Sequence, residues 1–317
     1  MLIHSPEKED ILAASERISK YVHRTPVLTS RSINAIIGCS IYFKCENFQK
    51  IGAFKARGAV NAALSLTPSQ RKHGIATHSS GNHAQAIAYA ASILGKKAYI
   101  VMPENAPPIK IAAIKGYGAE VIFCKPTLEA RERGLERVVQ QTNSYFIHPY
   151  NDYSVIAGQS TAALETFQNV PDLDYLFTPV GGGGLLSGSL ISRNYFSPQT
   201  RVFAGEPAGA DDAFRSLQKG EIVPSIKPNT IADGLLTSLG DKTFKIIREN
   251  IEEIILVNDE QIIVAMRLLW ERMKIIVEPS GAVPLAALLG EKDRFPGKKI
   301  GIILSGGNVD LGKNYFN

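Results

Sequence analysis

Lys55 is the first candidate for chemistry, because it stands among small residues in the stretch 51–59, at the start of a predicted helix through 60–64. A lysine amine can be a surface charge, a phosphate ligand or a nucleophile, and a nucleophile needs a site that withdraws it from water. Two other stretches add weight: Ser-Ser-Gly-Asn-His at 79–83 and four glycines at 181–184, each after a short apolar run. Together the three stretches indicate a site.

The four glycines lie between an apolar strand and a helix, so their backbone amides are free to surround an anion. A phosphate is the natural occupant, although a tight turn that excludes Cβ atoms for packing would use the same residues. No Gly-x-Gly-x-x-Gly frame fits, since its third position falls on Leu186 or Ser187, and Gly-Lys is never followed by Ser or Thr. These absences exclude the dinucleotide and Walker A motifs and leave a monophosphate cradle.

The stretch 79–83 places hydroxyls, a side-chain amide and free backbone amides at another helix start, which suits a carboxylate. The alternative is ordinary capping by Ser80 or Asn82, with His83 as a structural side chain. Ser305 ends an apolar strand and opens Ser-Gly-Gly-Asn at 305–308, which either supplies a hydroxyl to a ligand or is only a turn.

Alternating strands and helices must position these residues. The sequence predicts strands at 27–28, 41–44, 75–78, 98–102, 120–124, 145–147, 175–178, 202–205 and 300–304, and helices at 8–22, after 66–68, and at 82–94, 108–116, 127–142 and 185–195. This order predicts an α/β fold with two parallel-sheet αβα lobes and the active site between them. We expect a small αβ domain at 75–147, inserted into a large domain made of 1–74 and 148–317. Sites in such sheets lie beyond the carboxyl ends of the strands, where the motifs stand.

Composition limits the class of protein. The chain has 317 residues, of which 44% are hydrophobic and 21% charged, and its formal net charge is +5. This is typical of a soluble globular protein. Charged residues at 7–10 and the lack of a long apolar run argue against a signal peptide or membrane span, so we expect a cytoplasmic protein without membrane partners. Scattered basic residues argue against nucleic acid and leave room for an anionic cofactor. The spacing of Cys39, Cys45 and Cys124 suggests neither disulfides nor a zinc site.

Four motifs, in this order, resemble those of one family: G-A-F-K-A-R-G-A at 52–59, S-S-G-N-H-A-Q at 79–85, G-G-G-G-L-L-S-G at 181–188 and S-G-G-N-V-D at 305–310. They are similar to the motifs of the serine racemase and threonine/serine dehydratase family of fold-type II pyridoxal-phosphate enzymes. The resemblance covers nearly the whole chain. It is strongest toward eukaryotic-type serine racemases and hydroxyaspartate dehydratases, which share an alanine, here Ala53, where serine is more usual.

The resemblance implies a role for each motif in holding pyridoxal 5′-phosphate. Lys55 would bind the cofactor covalently, Phe54 would lie beside the pyridine ring, Asn82 would bond to the ring hydroxyl and Ser305 to the pyridine nitrogen. The phosphate would be held by Gly181, Gly182, Gly183 and Gly184. A neutral serine does not hold the ring protonated as an aspartate would, so prompt loss of a β-hydroxyl is favoured.

The implied activity is that of a threonine/serine ammonia-lyase, which converts L-threonine or L-serine to 2-oxobutanoate or pyruvate plus ammonia. The alternatives are a serine racemase with β-elimination as a side activity, or a threo-3-hydroxyaspartate ammonia-lyase. Ser80 would act on the opposite face of the substrate and permit racemisation. The substrate carboxylate would be held by Ser79, Ser80, Asn82 and His83, with Arg131 assigned to the same task.

Two further resemblances concern the regulation of the activity by a metal ion and by a nucleotide. Glu206, the carbonyl of Ala210 and Asp212 match a divalent-cation site for Mg²⁺, Mn²⁺ or Ca²⁺, although two carboxylates there are also compatible with a solvated loop. ATP would bind as an activator at the interface of a homodimer. The residues implied for it are Gln85, Lys110, Tyr117, Arg272, Lys274 and Asn308. The basic residues among them are also compatible with an exposed helix face.

Two readings from other classes stay open at this point. The first is a nucleotide-binding regulatory protein that keeps the fold but has lost the chemistry, which the retained Lys55, Ser80 and Ser305 argue against. The second is a cysteine-synthase-like β-replacement enzyme, which shares the fold and which the resemblance at the cation site argues against.

Overall fold

The computed structural model describes residues 2–79, 81–106 and 108–316. Over these residues the α-helices are α1 Lys8–Ile18, α2 Arg31–Ile37, α3 Lys55–Leu64, α4 Asn82–Leu94, α5 Pro108–Gly116, α6 Leu128–Thr142, α7 Tyr153–Asn169, α8 Gly184–Phe196, α9 Asp212–Lys219, α10 Asp241–Asn250, α11 Asp259–Met273 and α12 Pro279–Gly290. The strands are β1 Val27–Leu28, β2 Ser40–Cys45, β3 Ile75–His78, β4 Ala98–Pro103, β5 Glu120–Cys124, β6 Tyr145–Phe146, β7 Tyr175–Pro179, β8 Arg201–Pro207, β9 Glu253–Val257 and β10 Lys299–Leu304.

Six of the described strands form one sheet in the order β1-β2-β10-β7-β8-β9. All pairs are parallel except β1 with β2. The central strand β10 is buried from Ile300 to Leu304, which explains why it is apolar throughout rather than alternating. The predicted α/β class is confirmed.

Four other described strands form a second, wholly parallel sheet in the order β5-β4-β3-β6. This sheet is built from residues between 75 and 146, and α4 and α6 pack against it. The division into a small domain at 75–147 and a large domain of 1–74 with 148–317 stays a prediction. Two separate sheets do not by themselves show that the two parts fold as separate domains.

Two predicted helices differ from the structure. The first ends at Ile18 rather than at 22, because residues 19–22 form turns before Pro26. The short helix expected after Pro68 is wrong: residues 68–73 form successive turns. There Arg71 N–H bonds to Thr67 O, four residues back, but Lys72 N–H bonds to Ser69 O and Gly74 N–H to Arg71 O, three residues back. A single α-type turn therefore does not extend into a helix.

Helix α3 lies at the junction of the two sheets. On one side it crosses α7 so closely that a Cβ atom on Gly158 would lie 2.6 Å from the Arg57 carbonyl oxygen. On another side its alanines share a buried cluster with Ala84, Ile87 and Ala88 of α4. Small residues at both crossings permit this approach, so α3, which begins at Lys55, packs closely against both α7 and α4.

The motif residues follow the carboxyl ends of strands, as predicted. Ser79 follows β3, the glycine run follows β7 and Ser305 follows β10. A bridge between Ala53 and Gly306 joins the lysine stretch to the end of β10. In the described part of the chain, no helix is long and apolar enough to cross a membrane.

Candidate active site

Lys55 is held at the start of α3 by the backbone on either side of it. The Phe54 N–H donates to the Ser305 carbonyl at 3.0 Å, which ties the lysine stretch to β10. The Lys55 side chain is partly buried, and its Nζ donates to the Pro149 carbonyl at 2.8 Å. Burial lowers the pKa of this amine to about 8. A larger share of the amine is therefore neutral near pH 7 than in free lysine, as a nucleophile requires.

Phe54 and Ser305 lie beside this amine. The Lys55 Nζ is 5.2 Å from the centroid of the Phe54 ring. Ser305 is 3% exposed, and its hydroxyl makes no hydrogen bond with any other described residue. Lys55, Phe54 and Ser305 are thus brought together as the resemblance implied.

The glycine run forms a turn against Tyr150 and Leu235. Gly183 has φ of 85°, a left-handed conformation that favours glycine, and α8 begins at Gly184. A Cβ atom on Gly182 would lie 2.4 Å from the Tyr150 ring, and one on Gly181 would lie 2.8 Å from the Leu235 backbone. Within the described chain, the amides of the first three glycines donate no hydrogen bond. They are free for an anion at a helix N-terminus.

The third motif opens α4 at the edge of the small sheet. Gly81, rather than Asn82, is the N-cap residue, and its N–H donates to the Ser79 hydroxyl at 3.3 Å. The amides at the start of α4 therefore remain available to a carboxylate. Ser80, expected to act on the second face of the substrate, lies outside the described residues.

The His83 ring is committed to the fold. Its Nε2 lies 3.3 Å from the Ile147 carbonyl oxygen, which can only accept, so Nε2 carries the ring hydrogen. Burial, and then the charge of Lys55, holds the pKa of His83 well below its usual range. The neutral ring has no second N–H to offer. Of the groups of His83, only the backbone amide can therefore donate a hydrogen bond to a substrate carboxylate.

Asn82 is held by two side chains, one of which the sequence motifs did not indicate. Its Nδ2 donates to Glu278 Oε1 at 2.9 Å, and Asn308 Nδ2 donates to its Oδ1 at 2.9 Å. Glu278 is buried, and burial raises the pKa of its carboxyl to about 8. The sequence signal for Glu278 was a carboxylate directly after the apolar run at 275–277. No described residue accepts a hydrogen bond from the second Nδ2 hydrogen of Asn82, which can serve a ligand.

The segment after β6 supplies further site residues that the motifs missed. His148, Pro149 and Tyr150 follow one another there, and the ring centroids of His148 and Tyr150 are 4.7 Å apart, edge to face. Tyr150 is also the residue that covers the glycine turn. A run of two aromatic residues around a proline was the available signal, but only the fold places it next to Lys55.

Arg131 stands in the first turn of α6, which follows β5. It is half-buried, and no described residue forms a hydrogen bond or an ion pair with its guanidinium. Its charge lowers the pKa of His78, at the end of β3, as the second cause after burial. The structure therefore places Arg131 near the carboxyl end of β3.

The residues expected to bind a cation are buried together near the end of β8. Glu206 is 1% exposed, and its two oxygens accept from the amides of Ala213 and Phe214 at 2.8 Å each. Asp212 is equally buried, and neither of its oxygens has a hydrogen-bond partner among the described residues. Burial raises the pKa of Glu206 to about 8 and that of Asp212 to about 6. Ala210 lies just before Asp212, in a 3-10 turn.

No three His, Cys, Asp or Glu side chains in the described ranges form a metal-holding group. A site there needs the Ala210 carbonyl as a ligand. Unpartnered buried carboxylate oxygens fit a hard cation, because an unpaired buried charge is costly.

Three of the residues expected to bind a nucleotide belong to α4, α5 and the turn after α5. Gln85 is buried, Tyr117 is 37% exposed with its ring 5.7 Å from that of Tyr89, and Lys110 pairs with Asp233 at 2.6 Å. The pairing occupies the Lys110 amine within the chain.

The other three lie elsewhere. Arg272 and Lys274 are exposed at the end of α11, where Lys274 is in the left-handed conformation. Asn308 contacts Asn82 and the Ile51 carbonyl. Among the described residues, no hydrogen bond or ion pair joins two of the six residues expected to bind a nucleotide.

A buried ion cluster lies behind Lys55, and the sequence did not reveal it. Arg57 donates to Glu46 at 2.7 and 2.8 Å and to Glu165 at 2.8 and 2.9 Å. Lys44 donates to Glu165 at 2.5 Å. All four side chains are buried. Lys55 and Arg57 are two residues apart, about 200° around the helix, so the cluster anchors the side of α3 opposite to the amine.

The site as a whole fits pyridoxal phosphate. It presents an amine of lowered pKa for an aldehyde, glycine amides for a phosphate, and the Ser305 hydroxyl, which no described residue hydrogen-bonds, next in space to the Phe54 backbone. These features match the aldehyde, the phosphate and the aromatic ring of that cofactor, respectively.

Comparison with known proteins places the chain among proteins of this kind. The model of the family described as pyridoxal-phosphate dependent enzyme matches residues 18–306. Serine racemase from Dictyostelium discoideum is 54% identical over 307 residues, which cover 96% of this chain and 95% of the relative. The crystal structure of that protein superposes with a TM-score of 0.92 and covers 96% of this chain and 99% of its own.

Two other relatives carry different names. The beta-hydroxyaspartate dehydratase of Paracoccus denitrificans (strain Pd 1222) is 45% identical over 315 residues, which cover 99% of this chain and all of the relative. The crystal structure of threonine deaminase from T.th. has a TM-score of 0.92 at 45% identity and covers 96% of this chain and 99% of its own. The chain belongs to the family of pyridoxal-phosphate dependent enzymes, with the fold-type II architecture of its serine racemase and threonine deaminase relatives.

Proposed function

We propose that this protein is a pyridoxal-phosphate-dependent ammonia-lyase that converts L-threonine or L-serine to 2-oxobutanoate or pyruvate plus ammonia. The observation that carries the proposal is the Lys55 amine, with its lowered pKa, between the glycine turn and Ser305. The names of the relatives, which include a hydroxyaspartate dehydratase and a threonine deaminase, support a lyase.

Different residues of the chain carry out different steps of the proposed reaction. When bound, pyridoxal phosphate supplies an electron sink for the negative charge that develops at the substrate Cα. Lys55 binds the cofactor and, once freed, takes the proton from Cα. Ser79 and the amides at the start of α4 orient the substrate carboxylate. The departing β-hydroxyl takes up one proton and leaves as water, which balances the Cα proton taken by Lys55. The released enamine then takes up water and gives a 2-oxo acid and ammonia.

Three residues set the surroundings of the cofactor in this proposal. Phe54 would lie beside the ring, Asn82 would donate its second Nδ2 hydrogen to the ring hydroxyl, and Ser305 would bond to the ring nitrogen. Because Ser305 is neutral, it does not stabilise a protonated nitrogen, and elimination of a good leaving group is favoured over reactions that need a long-lived carbanion.

A serine racemase with β-elimination as a side activity is the second candidate function. The 54% identity to a protein of that name favours it. Its chemistry requires a proton donor on the far face of the substrate, and Ser80 is the proposed donor.

We also propose a divalent cation, Mg²⁺, Mn²⁺ or Ca²⁺, at Glu206, Asp212 and the Ala210 carbonyl. The two buried carboxylates, one without partners, support this assignment. We also propose that the protein forms a homodimer and that ATP binds at its interface as an activator. Within the part of the chain that the structure describes, no hydrogen bond or ion pair joins two of the six nucleotide residues, so the proposed site needs a second chain to complete it. The inserted small domain and the cytoplasmic location also remain proposals.

One reaction tests the function. Purified holoenzyme is incubated with L-serine, Mg²⁺ and ATP, D-serine is resolved by chiral chromatography, and pyruvate is quantified in the same tube. Pyruvate with little D-serine is the expected result for a lyase. Substantial D-serine that is lost in Ser80→Ala, while pyruvate formation stays measurable, would establish the racemase instead. Neither product, with L-threonine and L-threo-3-hydroxyaspartate also inert, would refute both.

A further inference from the structure

Three side chains, those of Asn308, Asn82 and Glu278, are joined by hydrogen bonds close to the lysine stretch. Asn308 Nδ2 donates to the Ile51 carbonyl at 2.7 Å and to Asn82 Oδ1 at 2.9 Å. Asn82 Nδ2 in turn donates to Glu278 Oε1 at 2.9 Å. We call these contacts the Asn82 network. It connects the segment before Lys55 with the start of α4 and the start of α12.

Both ends of the Asn82 network are acceptors that cannot reverse. The Ile51 carbonyl can only accept, and the Glu278 carboxyl can accept at Oε1 whether or not its other oxygen carries a proton. An asparagine amide by itself can point either way, because it carries an oxygen on one side and an NH2 group on the other. The fixed ends leave one arrangement in which every contact pairs a donor with an acceptor. In that arrangement Asn82 keeps one Nδ2 hydrogen that no described residue accepts.

The first end of the network is held by strained backbone. Ile51 is buried and has φ of 59°, a left-handed conformation that a β-branched residue rarely adopts. Gly52 follows with φ of 70°, and a Cβ atom on it would lie 2.5 Å from Asn308 Oδ1. Strain of this kind persists where the surroundings fix the backbone, and it is concentrated at functional sites. The strained turn directs the Ile51 carbonyl at Asn308.

The second end is a buried carboxyl with little room to turn. Glu278 is 4% exposed, and its N–H donates to the Gly306 carbonyl at 3.0 Å. A Cβ atom on Gly306 would lie 2.5 Å from Glu278 Oε1, so the carboxyl packs against the residue that follows Ser305. Among the described residues no cation forms an ion pair with it. Burial of such a group is costly, and the contact that compensates it is the hydrogen bond from Asn82.

We propose that Glu278 and Asn308 are positioning residues for the cofactor. They hold the Asn82 amide so that it presents an N–H, and not its oxygen, to the ring hydroxyl of pyridoxal phosphate. This inference rests on the role proposed for Asn82. An N–H stabilises the negative charge of an ionised ring oxygen, whereas an amide oxygen in the same place would repel it. The orientation of one amide therefore controls both the affinity for the hydroxyl and its ionisation.

The test compares the binding of two cofactors to the cofactor-free protein without nucleotide. One is pyridoxal phosphate, and the other is 3-deoxypyridoxal phosphate, which lacks the ring hydroxyl but keeps the aldehyde and the phosphate. In the wild type, fluorescence titration should show at least about 10-fold tighter binding of pyridoxal phosphate, because a hydrogen bond to a charged oxygen is involved. Glu278→Leu should reduce this preference at least about 3-fold and leave the affinity for the deoxy compound nearly unchanged. General damage to the structure would weaken both ligands alike.

Three further variants define the cause. Glu278→Gln retains an acceptor oxygen and should keep the preference within about 2-fold of the wild type. Asn308→Ala removes the donor at the other end of the network, so it should act like Glu278→Leu, and it serves if that variant does not fold. Glu291→Leu is the matched control, since Glu291 lies at the opposite end of α12 and is 41% exposed. Its preference should equal that of the wild type.

The visible absorption of the loaded protein is a second readout, because ionisation of the ring hydroxyl moves the band to longer wavelength. At fixed pH, part of the band should move to shorter wavelength in Glu278→Leu but not in Glu291→Leu. An unchanged preference in Glu278→Leu and Asn308→Ala, with a lost preference in Asn82→Ala, would overturn the inference and leave the role of Asn82 intact. An unchanged preference in Asn82→Ala as well would overturn both. These titrations need no turnover, so absence of any 2-oxo acid product would instead refute the proposed lyase function alone.

Discussion

The Lys55 amine donates a 2.8 Å hydrogen bond to the Pro149 carbonyl, and this contact joins the two halves of the site. Lys55 begins α3, whose neighbouring backbone is tied to β10 of the large sheet, whereas Pro149 follows β6 of the small sheet. A carbonyl accepts from the neutral and the charged amine alike. The contact therefore fixes the position of the amine without fixing its charge, and burial then favours the neutral form.

The pH dependence of cofactor binding should report the lowered pKa of Lys55. Only the neutral amine attacks an aldehyde, so its reactive fraction rises with pH through the folded-state pKa of about 8, below the ordinary 10.5 of lysine. We expect the rate at which added pyridoxal phosphate restores visible absorbance to cofactor-free protein to rise between pH 7 and 8.5 and then level off. A rate that keeps rising tenfold per pH unit up to pH 10 would contradict the assigned environment of Lys55.

Gly182→Ala should weaken cofactor binding. The new Cβ atom would lie 2.4 Å from the Tyr150 ring, so either the ring or the turn must move. We expect at least about a 10-fold loss in affinity for pyridoxal phosphate, measured by fluorescence titration of the cofactor-free protein. Gly116→Ala, where an added Cβ atom meets nothing within 4 Å, should bind as the wild type does. Equal affinity in the two variants would mean that the turn does not hold the cofactor.

Removal of one charged side chain from the buried ion cluster should destabilise the fold more than removal of one positive and one negative side chain together. Glu165→Leu leaves Lys44 and Arg57 short of a carboxylate, and we expect a loss of about 3–5 kcal/mol in the free energy of unfolding. The double variant Lys44→Met with Glu165→Leu retains the Arg57–Glu46 pair and should recover most of that loss.

Denaturant titration of the holoenzyme at fixed cofactor concentration measures both variants. Arg133→Leu, which breaks an exposed pair, should change the free energy of unfolding by less than about 1 kcal/mol. If the single and double variants were equally unstable, charge balance would not be what the cluster maintains.

Asp212→Asn should remove the response to divalent cations. In the wild type we expect Mg²⁺, Mn²⁺ or Ca²⁺ to raise the melting temperature, because a cation offsets the cost of two buried carboxylates. The neighbouring Asp211→Asn is the control, since Asp211 pairs with Arg215 at 2.8 Å. An undiminished shift in Asp212→Asn would remove this site from the proposal.

The sequence predicted those parts of the site that lie within continuous motifs. The glycine run and Ser305 follow apolar strands directly, and Lys55 with Phe54 follows β2 after two short turns, so that strand ends bring them to one edge of a parallel sheet. Tyr150 could not be found in this way, because its importance comes from contact with Gly182, which lies 32 residues further along the chain. Glu278 likewise becomes a site residue only through Asn82.

The buried ion cluster also could not be predicted from the sequence. Lys44, Arg57 and Glu165 are ordinary charged residues in the sequence, and only the packing of β2, α3 and α7 brings them together. The short helix predicted after Pro68 does not form for a local reason: after one four-residue turn, three-residue hydrogen bonds close this polar stretch before a helix can propagate.

The most direct test of the central claim is one comparison of Lys55→Ala with the wild type. Both are purified with pyridoxal phosphate, their visible absorbance is recorded, and the 2-oxo acid formed from L-serine, L-threonine and L-threo-3-hydroxyaspartate is measured. We expect the variant to lack the bound-cofactor band and to lose at least about 1,000-fold in kcat. Lys97→Ala, at an exposed pair with Glu120, should behave as the wild type. A Lys55→Ala variant that keeps both the band and the activity would contradict the assignment of Lys55 as the catalytic amine.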